Sequence, residues 1–147
     1  MEMGTRKRIL LVEDDEPIAR LLKQYLTSTG FDVHSETLGT QALRYAGANK
    51  PDLVILDLQL PDVDGMEVYK RLRMLYQSWL VPIMMLTGLD SSQNRARGLS
   101  SGADAYITKP FEPPALLPVI DTLLGKIDPE APAPPPDPER EIPPDAP

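Results

Sequence analysis

Apolar residues recur along this chain in two alternating patterns. Ile9, Leu10, Leu11 and Val12 form a short unbroken apolar run, as expected for a strand buried on both faces. Ile18, Leu21, Leu22, Tyr25 and Leu26 then repeat at i, i+3, i+4, i+7 and i+8, the stripe of an amphipathic helix. Pro17 suits the start of that helix, where a missing N–H leaves nothing unsatisfied, and Gly30 suits its stop. Residues 31–35 read as a second strand, and residues 39–48 as a short helix through Ala42, Leu43 and Ala46. A third run over residues 53–56 precedes a helix over 65–77, with Val68, Leu72, Leu75 and Tyr76 expected to face inward. Residues 81–86 give a fourth strand and residues 105–107 a brief fifth. Between those two, residues 91–100 predict a polar helix whose apolar face is reduced to Ala96 and Leu99. A last helix carries Leu116, Val119, Ile120 and Leu123. Five such units in about 120 residues predict one parallel sheet with helices on both faces.

Four of these strands stop on chemically useful side chains. The first runs into Glu13-Asp14-Asp15, the third into Asp57, the fourth into Thr87 and the fifth into Lys109-Pro110. In a parallel sheet all these stops share one edge, where α/β folds build their sites. Convergence of four strand ends is harder to obtain by chance than any single motif.

The chain has 147 residues, enough for one domain with a good core. Its charge of −7 is unevenly placed: from Asp128 onward six acids face one base, so that segment carries −5 and the rest −2. No basic stripe argues for nucleic-acid contact by this segment, and the short Arg6-Lys7-Arg8 run reads as solvated flanking sequence. With no cysteine, disulfides and thiolate metal sites are excluded. No apolar stretch has signal-peptide character or the ~20 residues needed to span a bilayer, so a soluble cytoplasmic protein without membrane association is the default expectation. After Lys126 the character changes: nine of the 17 prolines lie between Pro129 and Pro147. Residues 127–147 are expected to be a solvated Pro-rich acidic tail or interdomain linker, with a C-terminal effector domain beyond Pro147 expected in the natural protein.

The ordered set "ILLVEDD", "PDLVILDLQLPDVDGMEV", "PIMMLTG" and "GADAYITKPF" resembles the receiver domain of two-component response regulators, of the chemotaxis-regulator-like kind. The resemblance covers residues 7–126 and gives a domain division of 1–126 and 127–147. It implies a flavodoxin-like, doubly wound (βα)5 sandwich with strand order 2-1-3-4-5. It further implies that Asp57 is the phosphoacceptor for a histidine kinase or histidine phosphotransfer protein. Asp14 and Asp57 would supply side-chain oxygens to Mg²⁺ (or Mn²⁺), Glu13 would act directly or through water, and Gln59 would lend its backbone carbonyl. Lys109 would pair with Asp57 and then with the phosphate, over a cis peptide bond to Pro110. Thr87 would offer its hydroxyl to a phosphoryl oxygen beside small Gly88, and Tyr106 would be the switching aromatic. The predicted fourth helix, fifth strand and last helix would form the surface through which homodimers assemble. The domain would phosphorylate and dephosphorylate itself on Asp57 as a switch, so enzyme is the wrong headline.

The residue chemistry agrees. Three carboxylates at adjacent strand ends, about 5 Å apart, repel by roughly 3 kcal/mol per pair at an effective dielectric near 20, so they call for a counter-cation. Hard oxygen ligands suit Mg²⁺, which bridges carboxylate to phosphate. Asp15 and Glu16 are explained as helix-capping acids. Gly65, eight residues after Asp57, is expected at a turn needing positive φ. The lone His34 reads as an incidental strand residue, Trp79 as a cover for the sheet end, and Met84 and Met85 as core filling. Three departures from the family pattern stand out: Glu13 for the commoner Asp, apolar Leu89 where polar residues often occur, and Pro118 within the last helix, which is expected to shorten or kink it. Two other classes fit the residues less well. A phosphatase of the haloacid dehalogenase type would want a second Asp two residues after the nucleophile, where this chain has Gln59. A degenerate receiver serving as a constitutive interaction module would lack phosphorylation residues, and all are present.

Overall fold

The computed structural model describes residues 6–76, 81–88 and 103–125. Its strands are β1 (Arg8–Val12), β2 (Asp32–Glu36), β3 (Leu53–Asp57), β4 (Ile83–Thr87) and β5 (Ala105–Thr108). Its helices are α1 (Glu16–Ser28), α2 (Gly39–Ala48), α3 (Gly65–Tyr76) and α4 (Pro113–Gly125). The strands form one parallel sheet in the order β2-β1-β3-β4-β5, the flavodoxin-like arrangement expected. The predicted helix over 91–100, together with Leu89, Trp79 and the Pro-rich segment from 127, lies outside the described residues. Among the described residues no helix is long and apolar enough to cross a membrane.

Strand alternation sorts the core into two layers. Leu10, Val12, Val54, Leu56, Ile83 and Met85 pack with α2 and α3 through Ala42, Ala46, Val68 and Leu72. Ile9, Leu11, Leu53, Ile55, Met84 and Leu86 pack with α1 and α4 through Ala19, Leu22, Leu26, Leu116 and Ile120. Burial on both faces is why the strands read as continuous apolar runs. Met84 and Met85 point to opposite layers and both are fully buried.

Local chemistry sets the helix ends. Asp15 caps α1 by accepting from the Ile18 N–H at 3.2 Å, and Pro17 falls in the first turn. At the other end Phe31 N donates to Leu26 O and Gly30 N to Thr27 O, a Schellman closure that needs Gly30 at φ +110°.

Four expectations need correction. Leu21 is 52% exposed, because the spacing of Ala19, Leu22 and Leu26 centres the buried face of α1 elsewhere and leaves Leu21 on its rim. Leu75 is half exposed, because the last turn of α3 buries Arg73 instead. The Arg73 guanidinium meets Asp104 Oδ2 at 2.6 Å and Val81 O at 3.0 Å, which turns the inward face away from Leu75. Gly65 has no positive φ; it opens α3 against the chain, where an added Cβ would lie 2.4 Å from Leu58 Cα. Pro118 does not shorten the last helix, which runs unbroken from Pro113 to Gly125. Only the N–H of the second turn is lost, since first-turn N–H groups have no helical acceptor in any case.

Candidate functional site

Sheet register brings the strand ends together. Val12 pairs with Leu56, so Glu13, the next residue, stands beside Asp57. Asp57 pairs with Leu86, so Thr87 follows one step on, and Thr87 pairs with Thr108, so Lys109 follows again. The Lys109 N–H donates to Thr87 O at 2.7 Å, and the Lys109–Pro110 peptide is cis. Glu13, Asp57 and Thr87 are the buried polar side chains of the described residues, and all three lie at this edge.

Glu13, Asp14 and Asp57 each bring a carboxylate oxygen within 4.8 Å of the others. Lys109 Nζ is 3.2 Å from Asp57 Oδ2 and hydrogen bonds Glu13 Oε2 at 3.1 Å. It also lies 2.9 Å from Glu13 Oε1, so the one ammonium sits against both oxygens of Glu13. Asp57 Oδ1 accepts from the Gln59 N–H at 2.9 Å, and Glu13 Oε2 from the Asp15 N–H at 3.1 Å. Thr87 Oγ1 is buried without a hydrogen-bond partner.

Three carboxylates around one ammonium leave the site anionic. Burial, and then the hydrogen bond and charge of Asp57, push the Glu13 carboxyl up to about 7 against the opposing pull of Lys109. Asp14 is raised as well, by partial burial and then by Asp57. Burial pulls Lys109 down, but its hydrogen bond to Glu13 and the charges of Asp57 and Glu13 outweigh that and raise it. Three carboxylates with oxygens within 4.8 Å of one another and a single ammonium among them fit a hard divalent cation held by oxygen ligands.

Around this centre, Gly88 leaves space toward Gln59, whose Oε1 would lie 3.1 Å from an added Cβ. Tyr106 is half-buried in β5 and packs on the core layer of α2 and α3. Beside Lys109, an apolar groove of about 460 Å³ is lined by Ile18, Leu21, Leu22, Pro110 and Phe111. His34 is not part of the site: it stacks on Tyr45 at 3.7 Å and meets Glu36 Oε2 at 2.6 Å, over strand β2 at the sheet's edge.

The family model for the response regulator receiver domain matches residues 9–121. This chain belongs to the response regulator receiver family. The receiver is 42% identical over 127 residues to the alkaline phosphatase synthesis transcriptional regulatory protein PhoP of Bacillus subtilis, covering 86% of this chain and 52% of that protein. It is 39% identical over 123 residues to the phosphate regulon transcriptional regulatory protein PhoB of Rhizobium meliloti, covering 84% and 54%. The chain thus spans about half the length of these relatives. Among solved structures, a CheY-like response regulator receiver domain from Methanospirillum hungatei matches with TM-score 0.79 and 33% identity, covering 86% of this chain and all of that one.

Sequence reasoning missed two features at the site's margins. One is the Arg73–Asp104 pair, whose Asp104 Oδ2 also accepts from the Ile83 N–H at 2.9 Å. The other is Asp62, which bonds the first turn of α2 from 22 residues away. Its only sequence signal is negative: Leu38, before α2, has no side chain able to cap a helix.

Proposed function

We propose that this receiver is a phosphorylation switch in which Asp57 accepts a phosphoryl group from the phosphohistidine of a histidine kinase or histidine phosphotransfer protein. The observation that carries this reading is the buried carboxylate of Asp57 held by the Lys109 ammonium, which reaches it across the end of β4, where the Thr87 hydroxyl is buried without a partner. A carboxylate oxygen of Asp57 attacks phosphorus, the P–N bond breaks, and its electron pair leaves with the imidazole. Lys109 holds positive charge over the acceptor throughout. Thr87 donates its hydroxyl to a phosphoryl oxygen once one arrives, satisfying a group that otherwise has no partner. Gly88 keeps the space beside it open.

Mg²⁺ (or Mn²⁺), held by Glu13, Asp14, Asp57 and the Gln59 carbonyl, would supply the charge that neutralises the incoming oxygens. Water attack on the acyl phosphate resets the switch, releasing inorganic phosphate and returning Asp57 as a carboxylate. The donor approaches from the open side of the edge, where the apolar groove beside Lys109 offers Leu21 and Phe111 as contact surface. The output runs from Thr87 to Tyr106 and on to the surface of β5 and α4, where a homodimer would form. Because the named relatives are transcriptional regulatory proteins, control of transcription is the output proposed, exercised through an effector domain or partner. A cytoplasmic location fits that role.

Acetyl phosphate with Mg²⁺ tests the reading directly. Intact-mass spectrometry should show one added phosphoryl group, lost in Asp57→Asn. Equal labelling of that variant sinks the assignment.

A further inference from the structure

The segment between Asp57 and α3 is a small closed loop. At its base the Gly65 N–H donates to Leu58 O at 3.2 Å, and Gly65 Cα lies against the Leu58 backbone. Its tip reaches the N-terminus of α2. There Asp62 Oδ1 accepts from the Gly39 N–H at 2.9 Å, and Oδ2 accepts from the Thr40 N–H at 3.0 Å and the Thr40 hydroxyl at 2.8 Å. Leu38, at the N-cap position of α2, makes no side-chain cap bond, so Asp62 does that work from outside the helix. Apolar contacts fasten the same tip: Val63 Cγ2 and Leu60 Cδ1 crowd the Cα of Gly39, leaving no room there for a side chain.

Three bonds to one exposed carboxylate are more than helix capping needs. Burial, the largest single influence, raises the Asp62 carboxyl, but the N–H groups of Thr40 and Gly39 and the Thr40 hydroxyl outweigh it and hold it at about 2. Asp62 is therefore a permanently charged anchor. The loop it anchors begins at Gln59, directly after Asp57 and Leu58. Gln59 is fixed on one side by its N–H to Asp57 Oδ1. With the base pinned at Gly65, the remaining freedom of Gln59 and Leu60 is set by where the tip is held.

We propose that Asp62 is a positioning residue for the cation site: by docking the loop tip on α2 it holds the Gln59 backbone in place to complete the carboxylate cluster. This rests on the metal-assisted reading above. Groups that orient ligands from behind typically change metal affinity by about 10–100-fold when removed. Here the link passes through backbone, so the lower end applies.

The test is Mg²⁺ titration, followed by calorimetry at a temperature where every variant is folded by circular dichroism. Asp62→Ala should weaken Mg²⁺ binding about tenfold, and Asp62→Asn, which keeps one acceptor oxygen, by less. Leu123→Ala, in the opposite core layer, serves as a variant of comparable destabilisation that should keep wild-type affinity. Asp62→Ala with unchanged affinity overturns the inference, and so does an equal loss in Leu123→Ala, which would mean general loosening. Asp14→Asn separates this from the parent reading. If it binds Mg²⁺ as the wild type does, the cation site itself is misassigned; if it loses binding while Asp62→Ala keeps it, only the role of Asp62 falls.

Discussion

Lys109 reaches across the end of β4 to Asp57, with Nζ 3.2 Å from Oδ2, although 52 residues separate the two in sequence. The same ammonium also pairs with Glu13, so one cation serves two buried carboxylates. Replacing it with a neutral side chain, as in Lys109→Met, leaves both uncompensated. Breaking a buried pair this way can reach about 3–5 kcal/mol, and partial exposure of Lys109 points to the lower end. Urea denaturation in chelator should show that loss, and Mg²⁺ should recover part of it. Equal stability of variant and wild type in chelator would contradict the pairing.

The carboxylates should also show in the pH dependence. Glu13 binds its proton more tightly folded, at about 7, than unfolded, near 4.5. Its protonation therefore contributes stability that is present below pH 4.5 and lost as pH rises through 7. In metal-free buffer, wild type should lose stability relative to Glu13→Gln across that window. Millimolar Mg²⁺ should flatten the difference, because it favours the ionised form. Parallel curves for the two proteins in chelator would rule this out.

Asp14 differs from its neighbours in being exposed and in having no cation of its own among the described contacts. Asp14→Asn should stabilise the metal-free protein, by about 1 kcal/mol once solvent screening is allowed for. Asp57→Asn should be closer to neutral, since it relieves repulsion from Glu13 and Asp14 but gives up the contact with Lys109. Thermal melts in chelator would decide between these, with Asp14→Asn melting below wild type as the contrary result.

Most of this architecture was legible in the chain. The unbroken runs at residues 9–12 and 53–56 and the stripe from Ile18 to Leu26 announce a sheet covered on both sides, and the polar residues ending four strands announce its polar edge. What stayed hidden depends on partners distant in sequence. Nothing near Leu75 shows that Arg73 will turn inward, because its partners Asp104 and Val81 lie on other elements. Gly65 looked like a turn glycine, because sequence spacing cannot distinguish a positive φ from a close backbone approach. Asp62 gives no sequence signal of its own, because its acceptor role exists only once α2 is folded beside it.

Gly65 is tested by one methyl group. In Gly65→Ala the new Cβ would meet Leu58 Cα at 2.4 Å and Leu58 O at 2.6 Å, and both are backbone atoms that cannot swing aside. The loop after Asp57 must open to accept it. Overpacking of this kind costs about 1–3 kcal/mol, and the upper end applies here. Chemical denaturation should show that loss together with weaker Mg²⁺ binding. A variant as stable as wild type would show that the loop base yields more easily than its contacts suggest.

Thr87 carries the last prediction, because its hydroxyl is buried without a partner while its strand neighbour β5 holds Tyr106. Met85 pairs with Tyr106 and Thr87 with Thr108, so movement of Thr87 toward a phosphoryl oxygen bears directly on the strand that carries the ring. Shifting a two-state equilibrium from 1:99 to 99:1 takes about 5.5 kcal/mol of differential stabilisation. One hydrogen bond to a charged oxygen supplies about 1.5–3 kcal/mol of that. The remainder falls to Lys109 and the cation, which Thr87→Ala leaves in place. Thr87→Ala should therefore still take up phosphoryl on Asp57 while losing about a tenth to a half of the conformational response. Ring resonances of Tyr106, followed with and without beryllofluoride as the phosphoryl mimic, give the readout. Wild type should shift on adding the mimic and Thr87→Ala should shift less; an undiminished shift would mean that the signal leaves Asp57 by a route that bypasses this hydroxyl.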